Sequence, residues 1–313
     1  MYNGLTQECT RQPIVHYSLY ICSHMLTFPS CKINIGLQLT ERRPDGFHNL
    51  LSALYPVGWT DVLEIIPMVS GDGKAKQLPD NEYVTFAASG LPIPGDPAPD
   101  VGPPARNLCV RAYYRLKADF DLPPVQMHLH KIVPIGAGLG GGSADAAATI
   151  NLLNEQFNLG LTVAQREDYA RELGSDCAFF IQNKPQYCVE KGDVFEAIDL
   201  DLKGFHILLV YPNLAISTAE AYAGVTPRHP NVPLRTLLEA PVEQWRGSVH
   251  NDFEDSLFPK YPLLAEIKAQ LYDAGAIYAS LSGSGSTLYG IFNTPPNSPP
   301  PFSRYTVWQG QLI

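Results

Sequence analysis

The sequence predicts an α+β protein of two domains, on three observations. Its 313 residues, 45% of them hydrophobic, supply more core than one ordinary domain needs. Val125 to His130 alternates apolar and polar residues like a strand with one wet face, where a parallel dinucleotide-binding sheet would be apolar throughout. The glycine-rich stretch that follows opens a helix, and after that helix comes a second helix rather than a strand. A net charge of −9 and a pI near 5.3 argue against a nucleic-acid or membrane-surface partner, which would need an extended basic face. No apolar run approaches the length of a membrane span. The cysteines (Cys9, Cys22, Cys31, Cys109, Cys177, Cys188) show neither C-x-x-C nor metal-ligand spacing, and read as reduced thiols of a cytoplasmic protein.

Residues 1 to 24 lack periodicity and resemble neither a signal nor a transit peptide, so they are expected to be a disordered extension or a misplaced start. Ile33 to Leu39 alternates as a strand, which sets Lys32 and Asn34 on the face opposite Ile33 and Ile35. The plain expectation for such a polar pair is a solvated face. Pro44-Asp45-Gly46 is a turn that presents Phe47 and His48. Leu51 to Ile66 reads as further strand, turning at Trp59-Thr60-Asp61. Residues 89 to 106 hold too many prolines and glycines for a regular element and are expected to form a long surface loop. Asn107 is placed to cap a helix that runs to Leu116.

Pro134 to Thr149 organises the rest. Gly136, Gly138, Gly140, Gly141 and Gly142 free the backbone to turn successive amides toward an anion, and the helix begun by Ser143, Ala144 and Asp145 adds its N-terminal dipole at the same point. The stretch is therefore expected to cradle phosphate. It is not a P-loop, because no lysine and hydroxyl follow Gly142. Gly160 is expected to stop this helix, and Thr162-x-x-Gln165 to cap the next, which ends at Gly174. Ser175 to Ile181 sets Asp176 at the mouth of an apolar strand, where a carboxylate could simply cap a turn. Tyr187 to Ile198 reads as a hairpin around Lys191-Gly192-Asp193, and Phe205 to Tyr211 as a buried strand. Ser217-x-x-Glu220 is a capping box. Tyr261 to Ala274 reads as a helix with Leu264, Ile267, Leu271 and Ala274 toward the core. A second glycine loop, Ser282 to Ser286, separates strands at Ile277 to Leu281 and Thr287 to Phe292. A proline-rich linker, Thr294 to Pro301, leads to a last strand at Arg304 to Trp308.

The first glycine loop resembles the P-x-x-x-G-L-G loop of the GHMP small-molecule kinases (galactose, homoserine, mevalonate and phosphomevalonate kinases), with Pro134, Gly138, Leu139 and Gly140 in place. K-I-N at 32–34 and R-P-D-G-F-H-N-L at 43–50 narrow the resemblance, from about Met25 onward, to the branch that phosphorylates a cytidyl-diphosphate-linked methylerythritol on the route to isoprenoids. The resemblance implies the two-domain GHMP kinase fold: an N-terminal ribosomal-protein-S5-like domain (25–180) and a C-terminal ferredoxin-like α+β domain (181–313), with the active site between them. It implies ATP held by Pro134, Gly136, Gly138, Leu139, Gly140, Gly141, Gly142, Ser143 and Ala144, with Mg2+ on Ser143. Asp176 would be the base and Lys32 its partner. Asn34, Phe47, His48, Thr218 and Tyr222 would hold the small-molecule acceptor, the aromatic and histidine taking the cytosine, in a monomer or homodimer. Phe47 stands where tyrosine is usual, Cys31 where alanine is usual, and Ala144 where a second serine is common, which leaves Ser143 as the loop's one hydroxyl. A family kinase for mevalonate, homoserine or a sugar would not require the D-G-F-H turn. An inactive nucleotide-binding protein on the same fold would not need both Lys32 and Asp176.

Overall fold

The computed structural model describes residues 26–68, 82–93, 107–296 and 302–312. The expected N-terminal extension and most of the expected proline-rich loop and linker lie outside these. The first sheet hydrogen-bonds in the order β1-β4-β6-β5 and the second in the order β2-β3-β7-β8, from strands β1 (Leu26–Thr27), β2 (Ser30–Arg42), β3 (His48–Thr60), β4 (Val62–Pro67), β5 (Val84–Gly90), β6 (Val125–Lys131), β7 (Gln186–Val189) and β8 (Val194–Ala197). Between them run the helices α1 (Leu108–Lys117), α2 (Gly141–Gln156), α3 (Val163–Arg171) and α4 (Phe179–Gln182). The C-terminal sheet, in the order β10-β11-β9-β12, comprises β9 (His206–Tyr211), β10 (Tyr278–Leu281), β11 (Leu288–Phe292) and β12 (Thr306–Gln311). Helices α5 (Thr218–Ala223), α6 (Leu234–Leu237), α7 (Phe253–Lys260) and α8 (Pro262–Asp273) accompany it. This is the α+β architecture expected.

Local chemistry accounts for the helix ends. Asn107 Oδ1 accepts the Cys109 amide at 2.9 Å and caps α1, while Thr162 and Gln165 complete both halves of a capping box on α3. The box at Ser217 is half made. Its hydroxyl accepts the Glu220 amide, but the Glu220 carboxylate is taken by Lys260 and Tyr261. Helix α2 ends at Gln156 with Phe157 as its C-cap, and the left-handed residue that follows is Asn158 (φ 50°) and not Gly160, which turns the chain two residues later at φ 69°. Core-facing Leu264, Ile267 and Leu271 are buried in α8, and Ala274, its C-cap, is half-buried against the same core.

Three further expectations change. Phe179-Phe180-Ile181 forms the short helix α4 and not a strand. A brief apolar run buries equally well either way, and periodicity cannot separate the two. The edge strand β5 pairs parallel to β6, lies mostly in a stretch the sequence left unassigned, and takes Ser89 and Gly90 from the start of the expected surface loop. Most consequential, Lys32 and Asn34 are buried, at 4% and 5% exposure, where a solvated face was expected. On β2, Cys31, Ile33 and Ile35 pack with Tyr55, Ile207 and Tyr289 in one core, and a bulge between Ile35 and Leu37, with Gly36 at φ 65°, lets Leu37 and Leu39 join the other. The opposite face of β2, carrying Lys32 and Asn34, is covered by the two glycine loops.

Candidate active site

The phosphate loop leaves β6 and passes through Gly136, Gly138 and Gly140 at φ 68°, 79° and 69°. A Cβ on Gly138 would lie 2.1 Å from the Ser282 carbonyl oxygen, so only glycine lets the second glycine loop come this close. The Ser282 hydroxyl donates to Gly138 O at 2.9 Å and the Thr287 amide to Ala137 O at 3.2 Å, which brings the two glycine loops together. Helix α2 begins at Gly141, two residues before Ser143, so Gly141 and Gly142 are its first turn rather than loop. Its first internal bond runs from the Ala144 amide to Gly140 O at 3.0 Å, which leaves the amides of Gly141, Gly142 and Ser143 without a helical acceptor. Those three amides, at the positive end of a 16-residue helix, are free to take an anion.

A cleft of about 480 Å³ opens beside this helix end. Gly136, Gly138, Gly140 and Ser143 line it, whereas Leu139 and Ala144 are buried, the Leu139 carbonyl accepting the Lys32 amide at 3.0 Å. Lys32 Nζ stands 3.6 Å from Asp176 Oδ2 and donates to Gly138 O at 3.2 Å and to Asn34 Oδ1. Asn34 is itself fixed, its side-chain amide donating to Ser52 Oγ at 2.9 Å and Ser52 donating to Gly36 O at 2.7 Å. Asp176 is 38% exposed on its side chain and borders the cleft. Next to it Cys177 is buried, and burial pushes its thiol up to about 11 despite a hydrogen bond with Ser143, so it stays protonated and unreactive.

At the other end, the His48 and Tyr222 rings lie 5.0 Å apart, and Tyr222 packs edge-on against Phe253 at 4.9 Å. Burial, with the Asp176 charge, pushes the Tyr222 hydroxyl up to about 12, and burial lowers the His48 pKa. Thr218, the first residue of α5, borders the cleft. Phe47 stands apart at the tip of its turn, 60% exposed, with the Lys191 ammonium 5.5 Å from its ring. The structure thus gathers Lys32, Asn34, Asp176, Ser143, Thr218 and Tyr222 on one cleft, sets His48 against Tyr222, and leaves Phe47 at the rim.

Sequence reasoning missed Lys191 and Gly192, which line the cleft from the β7–β8 turn, and Ser52, which orients Asn34. A serine within an apolar strand was the available signal for Ser52. It also missed three buried charges beneath the loop, Asp61, Lys131 and Asp145. Burial raises the Asp145 carboxyl to about 7 against the pull of Lys131. Burial also disfavours the Lys131 ammonium, but its two carboxylates outweigh that and raise its pKa.

Residues 107–184 match the family described as GHMP kinases N terminal domain, and residues 237–299 match GHMP kinases C terminal. The chain is 47% identical over 269 residues to a protein of Bacteroides fragilis named 4-diphosphocytidyl-2-C-methyl-D-erythritol kinase, covering 86% of this chain and 92% of the relative. It is 46% identical over 275 residues to the protein of the same name from Cytophaga hutchinsonii, covering 88% and 94%. A crystal structure of 4-(cytidine 5'-diphospho)-2C-methyl-D-erythritol kinase aligns with a TM-score of 0.69 and 27% identity over 91% of this chain and 98% of that one. By these relatives, which cover more than four-fifths of it, the chain belongs to the 4-diphosphocytidyl-2-C-methyl-D-erythritol kinase family of GHMP kinases.

Proposed function

We propose that this chain uses ATP to phosphorylate the 2-hydroxyl of 4-diphosphocytidyl-2-C-methyl-D-erythritol, giving the 2-phosphate and ADP, in the methylerythritol phosphate pathway to isopentenyl diphosphate. One observation carries the reading: a Lys32–Asp176 pair at 3.6 Å shares a cleft with the open N-terminus of α2. The ATP phosphates lie against the amides of Gly141, Gly142 and Ser143, with Gly136, Gly138 and Gly140 shaping the approach. Asp176 accepts the proton of the acceptor hydroxyl as its oxygen attacks the γ-phosphorus, and the bond from that phosphorus to the bridging oxygen breaks to release ADP. Lys32, held by Asn34 and Gly138 O, orients Asp176 and offsets the charge that develops on the transferred group.

Among the described residues, one group of three or more acids, cysteines or histidines is close enough to share an ion, and it does not line the cleft. The cleft itself offers one carboxylate, Asp176, and the Ser143 hydroxyl, a donor set that would suit Mg2+ held mainly by phosphate oxygens and water, where the ion would neutralise phosphate charge. His48, Tyr222 and Phe47 take the cytosine, and Asn34 and Thr218 the methylerythritol end. We place the N-terminal unit at about 25–197 rather than 25–180, because β7 and β8 extend the sheet of β2 and β3. We also place the enzyme in the cytoplasm, as a monomer or homodimer. The four described cysteines are free, and none of the described helices is long and apolar enough to cross a membrane.

The test is ADP release from Mg-ATP with a panel of acceptor alcohols. The cytidyl-diphosphate acceptor should be turned over in strong preference to mevalonate, homoserine or a sugar. A preference for any of those would redirect the assignment within the superfamily, and release with none would leave only a nucleotide-binding role.

A further inference from the structure

Beneath the phosphate loop lies an ionic triad that takes no part in the reaction above. Asp61 at the β3–β4 junction, Lys131 at the end of β6 and Asp145 in the second turn of α2 are 0%, 2% and 2% exposed. Lys131 Nζ contacts Asp145 Oδ2 at 2.7 Å and also bonds Asp61 Oδ2. The second oxygen of Asp61 accepts the backbone amides of Ile132 at 2.6 Å and Val133 at 2.9 Å. These are the first residues past β6, where the chain departs for the glycine loop. Asp145 belongs to the helix that the same loop enters. The triad therefore ties both ends of the loop to one buried point, and a Cβ on Gly141 would lie 3.4 Å from Lys131 Nζ, directly under the first helical amide of the anion site.

Stability alone explains this cluster poorly. Burying charges costs about as much as their attraction returns, two carboxylates share one ammonium, and Asp145 Oδ1 has no hydrogen-bond partner. What the arrangement does supply is fixed geometry in a loop built of glycines, whose backbone would otherwise sample many conformations. We propose that Asp61, Lys131 and Asp145 are positioning residues that hold the phosphate loop in its ATP-binding shape. They act through the backbone of Ile132 and Val133 and through α2, and touch no reactant. The proposal rests on the kinase reading given above.

Asp145→Asn, Asp61→Asn and Lys131→Met test it by steady-state kinetics and by calorimetric titration with ADP. Each variant should raise KM for ATP and Kd for ADP by about ten- to a hundredfold, the scale on which small misplacements act. KM for the acceptor should stay near wild type, and kcat at saturating ATP should fall much less than the ATP affinity. The Lys131→Met/Asp145→Asn pair should be little worse than Lys131→Met, since one unit is being dismantled. If Lys131→Met does not fold, Asp145→Asn, which preserves shape and an acceptor for Lys131, is read alone. Folded variants with unchanged ADP affinity, or with equal losses for ATP and acceptor, would overturn the proposal. Wild-type protein that bound no ADP would overturn the kinase reading and the clamp with it, whereas wild-type binding with unaffected variants would overturn the clamp alone.

Discussion

At Lys32, three contacts fix one ammonium: Asp176, the Gly138 carbonyl and Asn34. Asn34 is held by Ser52 and the Gly138 carbonyl by the Ser282 hydroxyl, so a mobile side chain becomes a fixed charge. Phe47 is the opposite case. Because it is exposed, its removal should cost little stability, and any loss of function can be read as lost stacking. Phe47→Ala should raise KM for the cytidyl acceptor by about tenfold with KM for ATP unchanged, and Phe47→Tyr should be tolerated, since base–aromatic stacking is worth about 1–3 kcal/mol. Parallel rises for both substrates would instead indicate a disturbed fold. Ser143 shares its hydroxyl between Cys177 and the cleft. Ser143→Ala should increase the Mg2+ needed for half-maximal rate several-fold, while Cys177→Ala should not. An unchanged Mg2+ requirement in Ser143→Ala would assign phosphate and ion to backbone amides alone.

The two glycine loops divide their glycines by what each must avoid. Gly138 faces the Ser282 carbonyl at a distance no Cβ tolerates, whereas Gly136 has nothing within 4 Å of where its Cβ would be. Both have positive φ. Gly136→Ala should thus cost only the left-handed backbone penalty, about 1–2 kcal/mol. Gly138→Ala must also push the loops apart, and should lower Tm further and weaken ATP binding, as thermal unfolding and ADP titration would show. Equal Tm losses at the two positions would mean that the loops do not depend on this contact. The elements themselves were largely legible: β2, β3, β6, α1, α2, α3 and the β7–β8 hairpin follow from alternation, caps and turn residues near in sequence. The α4 helix was not, because three apolar residues carry no period. Nor was the burial of Lys32 and Asn34, because what covers them comes from Gly138 and Ser282, 106 and 248 positions downstream.

Across the whole molecule, the cleft draws Lys32 from a strand of the second sheet, Ser143 from α2, Asp176 from the turn before α4, and Tyr222 from α5 beside the C-terminal sheet. No single segment holds the site. Its motifs could be read from the sequence one by one, through Lys32-Ile33-Asn34, the D-G-F-H turn and the glycine loop. Their convergence, and the buried support from Ser52, Asp61, Lys131 and Asp145, depends on distant packing that no local pattern encodes. In a chain of net charge −9, anionic substrates must be held by such local groups rather than by a general positive field. The proposed reaction depends most directly on Asp176 as the base. Its test is kcat for Asp176→Asn, a change that preserves shape and removes basicity, in protein shown to be folded and to bind ATP. With Asp176 as the base, kcat should fall by about a hundred- to ten-thousandfold, the usual contribution of a positioned general base. Turnover within a few-fold of wild type would contradict it.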